Sequence, residues 1–204
     1  MNSIDKLSEI FKHFPGIGPR QAKRFVYYLL SRDKATLKSL SEAIGALSEE
    51  TTQCEDCRRY FCIGSPSKTS PKCTTCEDES RDPFLLMIVP RDADFESVEK
   101  SGGFHGYYFV LGGVLPILEK EPEKRIRIAE LKKLLKKKEE VKEVILAMNA
   151  NSDGENTAEF LKDEIRTLKP DISVSTLGRG LSTGAELEYA DPDTLKNALL
   201  HRTK

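Results

Sequence analysis

The chain has 204 residues, of which 38% are hydrophobic and 32% charged, and its formal net charge is −1 at pH 7. This length suits one or two domains with a sizeable core. The longest apolar runs, 84–89 and 144–148, are far shorter than the roughly 18 residues that cross a bilayer, which excludes a membrane protein. The N-terminal segment lacks a basic stretch followed by an apolar one, so we expect no secretory signal and a cytoplasmic location.

The near-zero net charge conceals a basic N-terminal end. Residues 1–34 contain seven Lys and Arg against three Asp and Glu, whereas residues 144–204 contain seven basic and ten acidic side chains. The basic end is able to meet a polyanion such as DNA.

Three amphipathic helices are predicted for the first 50 residues. The first covers 3–13 with Ser3 as its N-cap, the second starts at Pro19, and the third covers about 34–48. The first two flank a glycine turn, so the pattern predicts a helix-hairpin-helix. In the third helix we expect four apolar side chains to face inward: Leu37, Leu40, Ile44 and Leu47.

The glycine turn is a candidate phosphate site. Gly16 and Gly18 let a backbone approach a phosphate closely, and the following helix points its N–H groups at the anion. Arg20, Lys23 and Arg24 add positive charge that is indifferent to base sequence. The alternative is an ordinary helical hairpin with a solvated basic face.

Four cysteines have the spacing of a structural zinc site. Cys54 and Cys57 form one Cys-x2-Cys pair, Cys73 and Cys76 form another, and fifteen residues separate the pairs. Four thiolates leave no open coordination position, so we expect one structural zinc ion per chain. Disulfides or free buried thiols are the alternative. Cys62 lies outside both pairs and is expected to be a surface thiol.

From residue 84 onward, predicted strands and helices alternate. The strands are 84–89, 107–111, 141–148 and 172–177, and the helices are 92–100, 127–140, 155–168 and 192–201. This alternation predicts an α/β domain with a parallel, doubly wound sheet and helices on both faces.

Several motifs together resemble the bacterial recombination-repair RecR family, in that family's order and over essentially the whole chain. They are the 14–20 hairpin, the four cysteines, and the segments 110–113, 144–149, 153–158 and 179–191. The resemblance implies four regions: a helix-hairpin-helix DNA-binding region at 1–50, a zinc module at 51–82, a Toprim-like α/β domain at 83–178, and a C-terminal loop and helix at 179–204 that contact other subunits.

The resemblance also implies a function without catalytic turnover. Members of this family assemble into ring-like oligomers, bind DNA, and act with the partners RecO and, in many bacteria, RecF. Together they load a recombinase onto single-stranded DNA. By motif position, the family's DNA-contacting basic residues fall on Arg20 and Arg24.

The acids of the α/β part support a non-enzyme. Catalytic Toprim proteins resemble one another in a Glu after the first strand and an Asp-x-Asp after the third, which hold Mg²⁺. Pro90 stands at the first position, where an acid is usual even in the RecR family, and Asn149 and Asn151 stand at the others. The two cysteine pairs are also farther apart than that family leads us to expect.

Four carboxylates remain near these positions, with two possible roles. They could stabilise helix N-termini or bind a metal ion, and Asp153 and Glu155 form an acidic Toprim face that could bind a metal ion or a partner. The four are Asp92, Asp94, Asp153 and Glu155.

Three functions therefore stay open. The main hypothesis is a DNA-binding recombination mediator. The first alternative is a small Mg²⁺-dependent Toprim nuclease or primase-like enzyme that uses Asp92, Asp153 and Glu155. The second alternative is a zinc-stapled interaction protein that never touches DNA.

Overall fold

A computed structural model of the protein describes residues 1–63 and 71–202. These residues form two compact units. The first contains Met1–Thr52 with residues 62–63, and the second contains Gln53–Phe61 with residues 71–202. Within these ranges, none of the helices combines the length and the apolar composition of a membrane span.

The first unit contains the three predicted helices. They are α1 (Ser3–Lys12), α2 (Pro19–Leu30) and α3 (Lys34–Glu50). The rings of Phe11 and Phe25 meet edge to face at 5.7 Å and join α1 to α2. The prediction that Ser3 caps α1 is wrong, because the side chain of Asn2 accepts the Asp5 N–H at 2.9 Å and Ser3 is already helical.

The apolar stripe of α3 does not face inward as expected. The four side chains are between 37% and 62% exposed, and no residue of α3 is buried. Asp33 caps the helix through its hydrogen bond with the Thr36 N–H, so the element itself is well formed. The periodicity therefore predicted the helix correctly but not the exposure of its apolar stripe.

Two short strands and a short helix carry the cysteine segment. β1 (Thr51–Gln53) pairs with β2 (Tyr60–Cys62), and α4 (Thr74–Glu77) begins directly after Cys73. The sequence analysis predicted none of these three elements, since each is only three or four residues long.

The second unit is built on a four-stranded parallel sheet, as predicted. Its strands are β3 (Asp82–Val89), β4 (Gly106–Val110), β5 (Glu143–Leu146) and β6 (Ser173–Thr176), in the order β4-β3-β5-β6. The predicted strand 141–148 is too long, because Val141 and Met148 lie outside the paired residues. They still belong to the core, so apolar character exceeded the length of the strand.

Helices cover both faces of this sheet. α5 (Asp92–Ser101) packs on one face, and α7 (Ile128–Lys137) and α8 (Ser152–Leu168) pack on the other. The predicted helix 127–140 is shorter at both ends, and the helix predicted at 155–168 begins three residues earlier. α6 (Pro122–Arg125) was not predicted. A 3-10 turn (Leu187–Tyr189) and α9 (Pro192–Leu200) complete the described chain.

The strand order places a natural binding position between β3 and β5. The chain leaves β3 for α5 on one face and leaves β5 for α8 on the opposite face. In open parallel sheets, ligands bind at the carboxyl ends of the two strands where this divergence occurs. The residues that follow these strands, Pro90 and Asn149, were the ones aligned with the Toprim metal position.

Candidate functional site

The hairpin between α1 and α2 has the backbone that its glycines predict. Ile17 donates its N–H to the Phe14 carbonyl at 3.1 Å, with Pro15 and Gly16 as the central residues of the turn. Gly16 has a φ of +75°, a conformation that glycine adopts without strain. Gly18 is the N-cap of α2, and it has no side chain to cap the first N–H groups. Those N–H groups therefore donate to no capping side chain.

The predicted basic side chains surround this helix start. Arg20, Lys23 and Arg24 lie on one face of the first two turns of α2, and all three are exposed. Arg24 hydrogen-bonds Gln21 at 3.4 Å, and no acidic side chain among the described residues pairs with the three bases. A Cβ built at Gly18 meets nothing within 4 Å, so a ligand can approach the backbone there.

Helix polarity and side-chain charge act together at this turn. The N-terminus of α2 carries partial positive charge, and α2 has no acidic residue in its first turn to offset it. Such a site suits a phosphate group. The structure therefore brings together all five residues that the sequence predicted for DNA.

The four paired cysteines converge as predicted. Their Sγ atoms all lie within 4.8 Å of one another, and those of Cys57 and Cys73 are 3.6 Å apart. A tetrahedral zinc ion with Zn–S bonds of about 2.3 Å places its sulfur ligands about 3.8 Å apart. The cluster therefore fits a metal ion such as zinc, and Cys62 is exposed and not part of it.

The local backbone forms two tight turns around these thiols. Arg58 donates its N–H to the Cys54 carbonyl and has a φ of +64°, which turns the chain directly after the first pair. Cys73 donates its N–H to the Cys54 Sγ at 3.4 Å. Cys76 donates its N–H to the Cys73 carbonyl at 2.9 Å. An N–H aimed at sulfur favours the thiolate form.

The opposed pKa shifts of the cysteine thiols show that a cation would stabilise the cluster in its thiolate form. Hydrogen bonds from the Cys57 and Cys73 thiols lower the pKa of the Cys54 thiol. The interaction with Cys54 raises the pKa of Cys57, because a second thiolate beside the first is unfavourable. A divalent ion at the centre removes this conflict and lets all four thiols ionise.

The first cysteine turn is anchored on the α/β domain. Val110 of β4 donates its N–H to the Cys57 carbonyl at 2.8 Å. The Arg127 guanidinium donates to the carbonyls of Arg58 and Val110, both at 3.0 Å. The sequence analysis missed Arg127, since an arginine in a basic stretch gives no signal for a structural role.

Asp56 adds a charged contact to this anchor. Its side chain is 7% exposed and accepts hydrogen bonds from Lys137 of α7 at 2.5 Å and from Lys72 at 3.1 Å. Burial opposes ionisation of the carboxyl, but the two lysines prevail and hold its pKa below the ordinary value. The cysteine turn is thus tied to α7 as well as to β4.

A cleft of about 540 Å³ lies at the carboxyl ends of β3 and β5. Pro90, Asn149 and Asn151 line it, as the alignment with the Toprim metal position requires. Among the residues that the structure describes, no carboxylate lines this cleft. Its described lining therefore lacks the carboxylates by which catalytic Toprim proteins hold Mg²⁺.

The four nearby acids have structural contacts or lie apart from the cleft. Asp92 begins α5, and its side chain accepts the Tyr60 N–H at 2.8 Å. Asp94 pairs with the Arg91 guanidinium at 3.4 Å. Both Asp153 and Glu155 lie in the first turn of α8, as the helix-stabilising alternative predicted.

The side-chain cap of α8 is a residue that the sequence analysis did not assign to this role. Asn151 accepts the Gly154 N–H at 2.8 Å, whereas Asp153 and Glu155 add charge to the first turn. Glu155 pairs with Arg179 at 2.7 Å. A Cβ at Gly154 would lie 2.0 Å from the Asn149 carbonyl oxygen, so this glycine lets α8 start close to β5.

Comparison with known protein families finds matches for the N-terminal helices, the α/β domain and the C-terminal region, in this order along the chain. Residues 4–47 match the helix-hairpin-helix of RecR, residues 85–178 match the Toprim domain, and residues 180–203 match the C-terminal region of RecR.

Full-length relatives agree with these regional matches. The recombination protein RecR of Bifidobacterium adolescentis is 38% identical over 200 residues, which cover 98% of this chain and 95% of the relative. Those of Lacticaseibacillus casei and Staphylococcus saprophyticus are 36% and 37% identical over 202 residues, and each alignment covers 98% of this chain and 96% of the relative. The predicted resemblance is thus confirmed, and the chain belongs to the RecR family.

Proposed function

We propose that the protein is a DNA-binding mediator of recombinational repair that works without catalytic turnover. Relatives named as recombination proteins, similar over nearly the whole chain, support the role in recombination. In this proposal it acts in the cytoplasm with RecO-type and RecF-type partners and helps to load a recombinase onto single-stranded DNA. The observation that carries the DNA-binding part is the exposed basic start of α2.

The hairpin supports contact with the DNA backbone rather than with the bases. Its ligating groups are helix N–H groups and flexible cations, which suit phosphates of any sequence. Among them, Arg20, Lys23 and Arg24 supply charge, while Gly16 and Gly18 permit close approach.

The cysteine cluster supports a structural zinc ion. Cys54, Cys57, Cys73 and Cys76 would hold it, and with four sulfur ligands no position is left for a substrate. When bound, the ion would fix the turn whose carbonyl groups contact Val110 and Arg127. Its proposed role is to brace β4, not to react.

The Toprim cleft supports a role other than phosphoryl transfer. The carboxylate-free lining does not fit a catalytic Mg²⁺ site. Thr157 is buried in α8 and hydrogen-bonded on both sides, so it has no access to a substrate as a nucleophile. Asp153 and Glu155 remain available as an acidic surface for a partner protein.

Exposed apolar surfaces support self-association. The stripe of α3 and the region 179–202 both present large apolar side chains to solvent. In a ring-like homo-oligomer, such surfaces would be covered by neighbouring subunits. The exposed side chains in the C-terminal region include Leu181, Leu187, Tyr189, Leu199 and Leu200.

A salt titration of DNA binding tests the proposal. The double variant Arg20→Glu/Arg24→Glu is compared with Lys133→Glu/Lys136→Glu, which makes the same charge change on the exposed side of α7. On single-stranded DNA, each lost phosphate contact lowers the slope of log K against log salt by about 0.7, so we expect the hairpin variant to lose about 1.4 and the α7 variant to resemble the wild type.

The same titration, run with Mg²⁺, separates the alternatives. Intact DNA is expected throughout. DNA cleavage that disappears in an Asp153→Asn variant would support the Toprim nuclease instead, and salt-independent or absent DNA binding would support an interaction protein that does not touch DNA. Sedimentation of an Ile44→Glu variant tests self-association, since a charge in the α3 stripe should lower the average mass.

A further inference from the structure

The cleft between β3 and β5 has a basic lining that the proposed function does not use. Three cations line it: Arg91 from the loop after β3, and Lys124 and Arg125 from α6. The side chains of Asn149 and Asn151 complete the polar wall. At the position where a catalytic Toprim protein has carboxylates that bind a cation, this chain has cationic side chains and amides.

The charges of the cleft are only partly offset. Asp94 pairs with Arg91, and Glu121 pairs with Lys124 at 2.6 Å. In both of these ion pairs the cation is largely exposed, so each pair is weak and leaves its cation able to turn toward a ligand. No acidic side chain among the described residues pairs with Arg125, which lies on the surface of α6.

The loop after β4 adds residues with backbone N–H groups that are unpaired within the described chain to the same wall. The loop after β4 contributes Gly112, Gly113 and Val114 to the lining. Gly112 donates its N–H to the Pro90 carbonyl at 3.0 Å, whereas the N–H groups of Gly113 and Val114 have no hydrogen-bond partner among the described residues. Two adjacent free N–H groups beside cations are a recurring feature of anion sites.

The loop that carries these donors is held in place. The Arg127 guanidinium donates to the Val110 carbonyl, and the backbone N–H of Arg127 donates to the Leu111 carbonyl at 2.9 Å. A Cβ at Gly112 would lie 3.2 Å from the Arg127 Nε, so the loop passes directly against this side chain. Asn151 is likewise fixed, because its side-chain oxygen caps α8 and its amide nitrogen is left for another partner.

We propose that this cleft is a phosphate-binding site, and that it holds a backbone phosphate of DNA. The donor set of cations, amides and free N–H groups matches the oxygen atoms of a phosphate. A free phosphate compound shares this chemistry. DNA is the favoured source because the described lining of the cleft offers Pro90 and Val114 but no aromatic side chain on which a nucleotide base would stack. This choice of source rests on the proposed function, whereas the phosphate site itself does not.

Two measurements on the full-length, metal-loaded protein test the proposal. In the first, inorganic phosphate is titrated into ¹⁵N-labelled protein. We expect saturable shifts of the Gly113 and Val114 amide signals in the wild type and in Lys136→Glu, and none in Arg125→Glu. Arg125→Gln serves as a second variant that removes the charge without reversing it. Unchanged signals elsewhere in α6–α8 show that the variants fold.

In the second measurement, single-stranded DNA is titrated at several salt concentrations. Arg125→Glu should lower the slope of log K against log salt by about 0.7, the value for one phosphate on a single strand, and Lys136→Glu should not. Phosphate-induced shifts with an unchanged DNA slope support the site and assign it to free phosphate compounds.

The outcomes also separate this site from the hairpin. The phosphate site is refuted if phosphate shifts neither the Gly113 nor the Val114 amide signal and Arg125→Glu has the same salt slope of DNA binding as Lys136→Glu. This holds whatever the salt slope of Arg20→Glu/Arg24→Glu is. If phosphate shifts the amides but the wild type binds no DNA, the proposed function fails and the phosphate site remains.

Discussion

Thr157 supports a quantitative test of how the α/β domain is built. This side chain is fully buried in α8. Its hydroxyl donates to the Asp153 carbonyl at 2.6 Å and accepts the Leu115 N–H at 2.8 Å. It thereby joins α8 to the loop after β4, the same loop that carries Gly113.

A Thr157→Val substitution keeps the shape of the side chain and removes both hydrogen bonds. The Leu115 N–H is then buried without a partner, which costs about 1–3 kcal/mol. With a urea slope of about 2.5 kcal/mol per M, the midpoint of unfolding should fall by about 0.4–1.2 M. The loss should appear in urea titrations of the metal-loaded protein followed by circular dichroism.

Thr167→Val is the matched control in the same helix. The Thr167 hydroxyl donates to the Asp163 carbonyl at 2.8 Å, but it is exposed and no buried group depends on it. We expect a change of less than about 0.5 kcal/mol. Equal midpoints for the two variants would show that the Leu115 N–H finds another partner, and the argument for Thr157 as a structural bridge would fail.

Four further predictions concern the first unit and the cysteines. Cys57→Ser should lower the zinc content measured by atomic absorption well below one per chain, and Cys62→Ser should leave it unchanged, because only the former belongs to the cluster. Gly16→Ala should destabilise the protein by about 1–2 kcal/mol in thermal unfolding, since φ there is +75°. Gly18→Ala should destabilise the protein by no more than about 1 kcal/mol, the cost of an alanine N-cap, but should weaken DNA binding, because its added Cβ occupies the open approach to the backbone. In an NMR titration, the Asp33 carboxyl should have a pKa below its ordinary value, because the backbone N–H of Thr36 and then its hydroxyl donate hydrogen bonds to it. The cap therefore contributes fully to folding stability above about pH 4, the pKa in the unfolded chain, and this contribution is lost as the pH falls through the lower pKa of the folded chain. An unshifted carboxyl would refute this cap.

The order of elements could be predicted because long amphipathic segments carry a strong periodic signal. All three N-terminal helices and all four parallel strands lie where the apolar spacing placed them. Their ends were less predictable. Val141 and Met148 are apolar because they contribute to the core, although neither is paired in β5.

The candidate sites divide in a similar way. The cysteine cluster could be predicted from spacing alone, because two tight turns suffice to define it. The basic cleft could not, since Arg91, Arg125 and Asn151 are far apart in sequence and meet only through the parallel sheet. Exposure of the α3 stripe was equally hidden, because periodicity identifies an apolar face but not what covers it.

The contact between Val110 and Cys57 has a consequence for aggregation. β4 is an edge strand, and its Val110 N–H would be an open donor if the Cys57 carbonyl did not accept it. Exposed strand edges are templates for pairing with other chains. The cysteine turn thus caps part of a sheet edge, and removal of the proposed zinc ion should make the chain more prone to edge-to-edge aggregation.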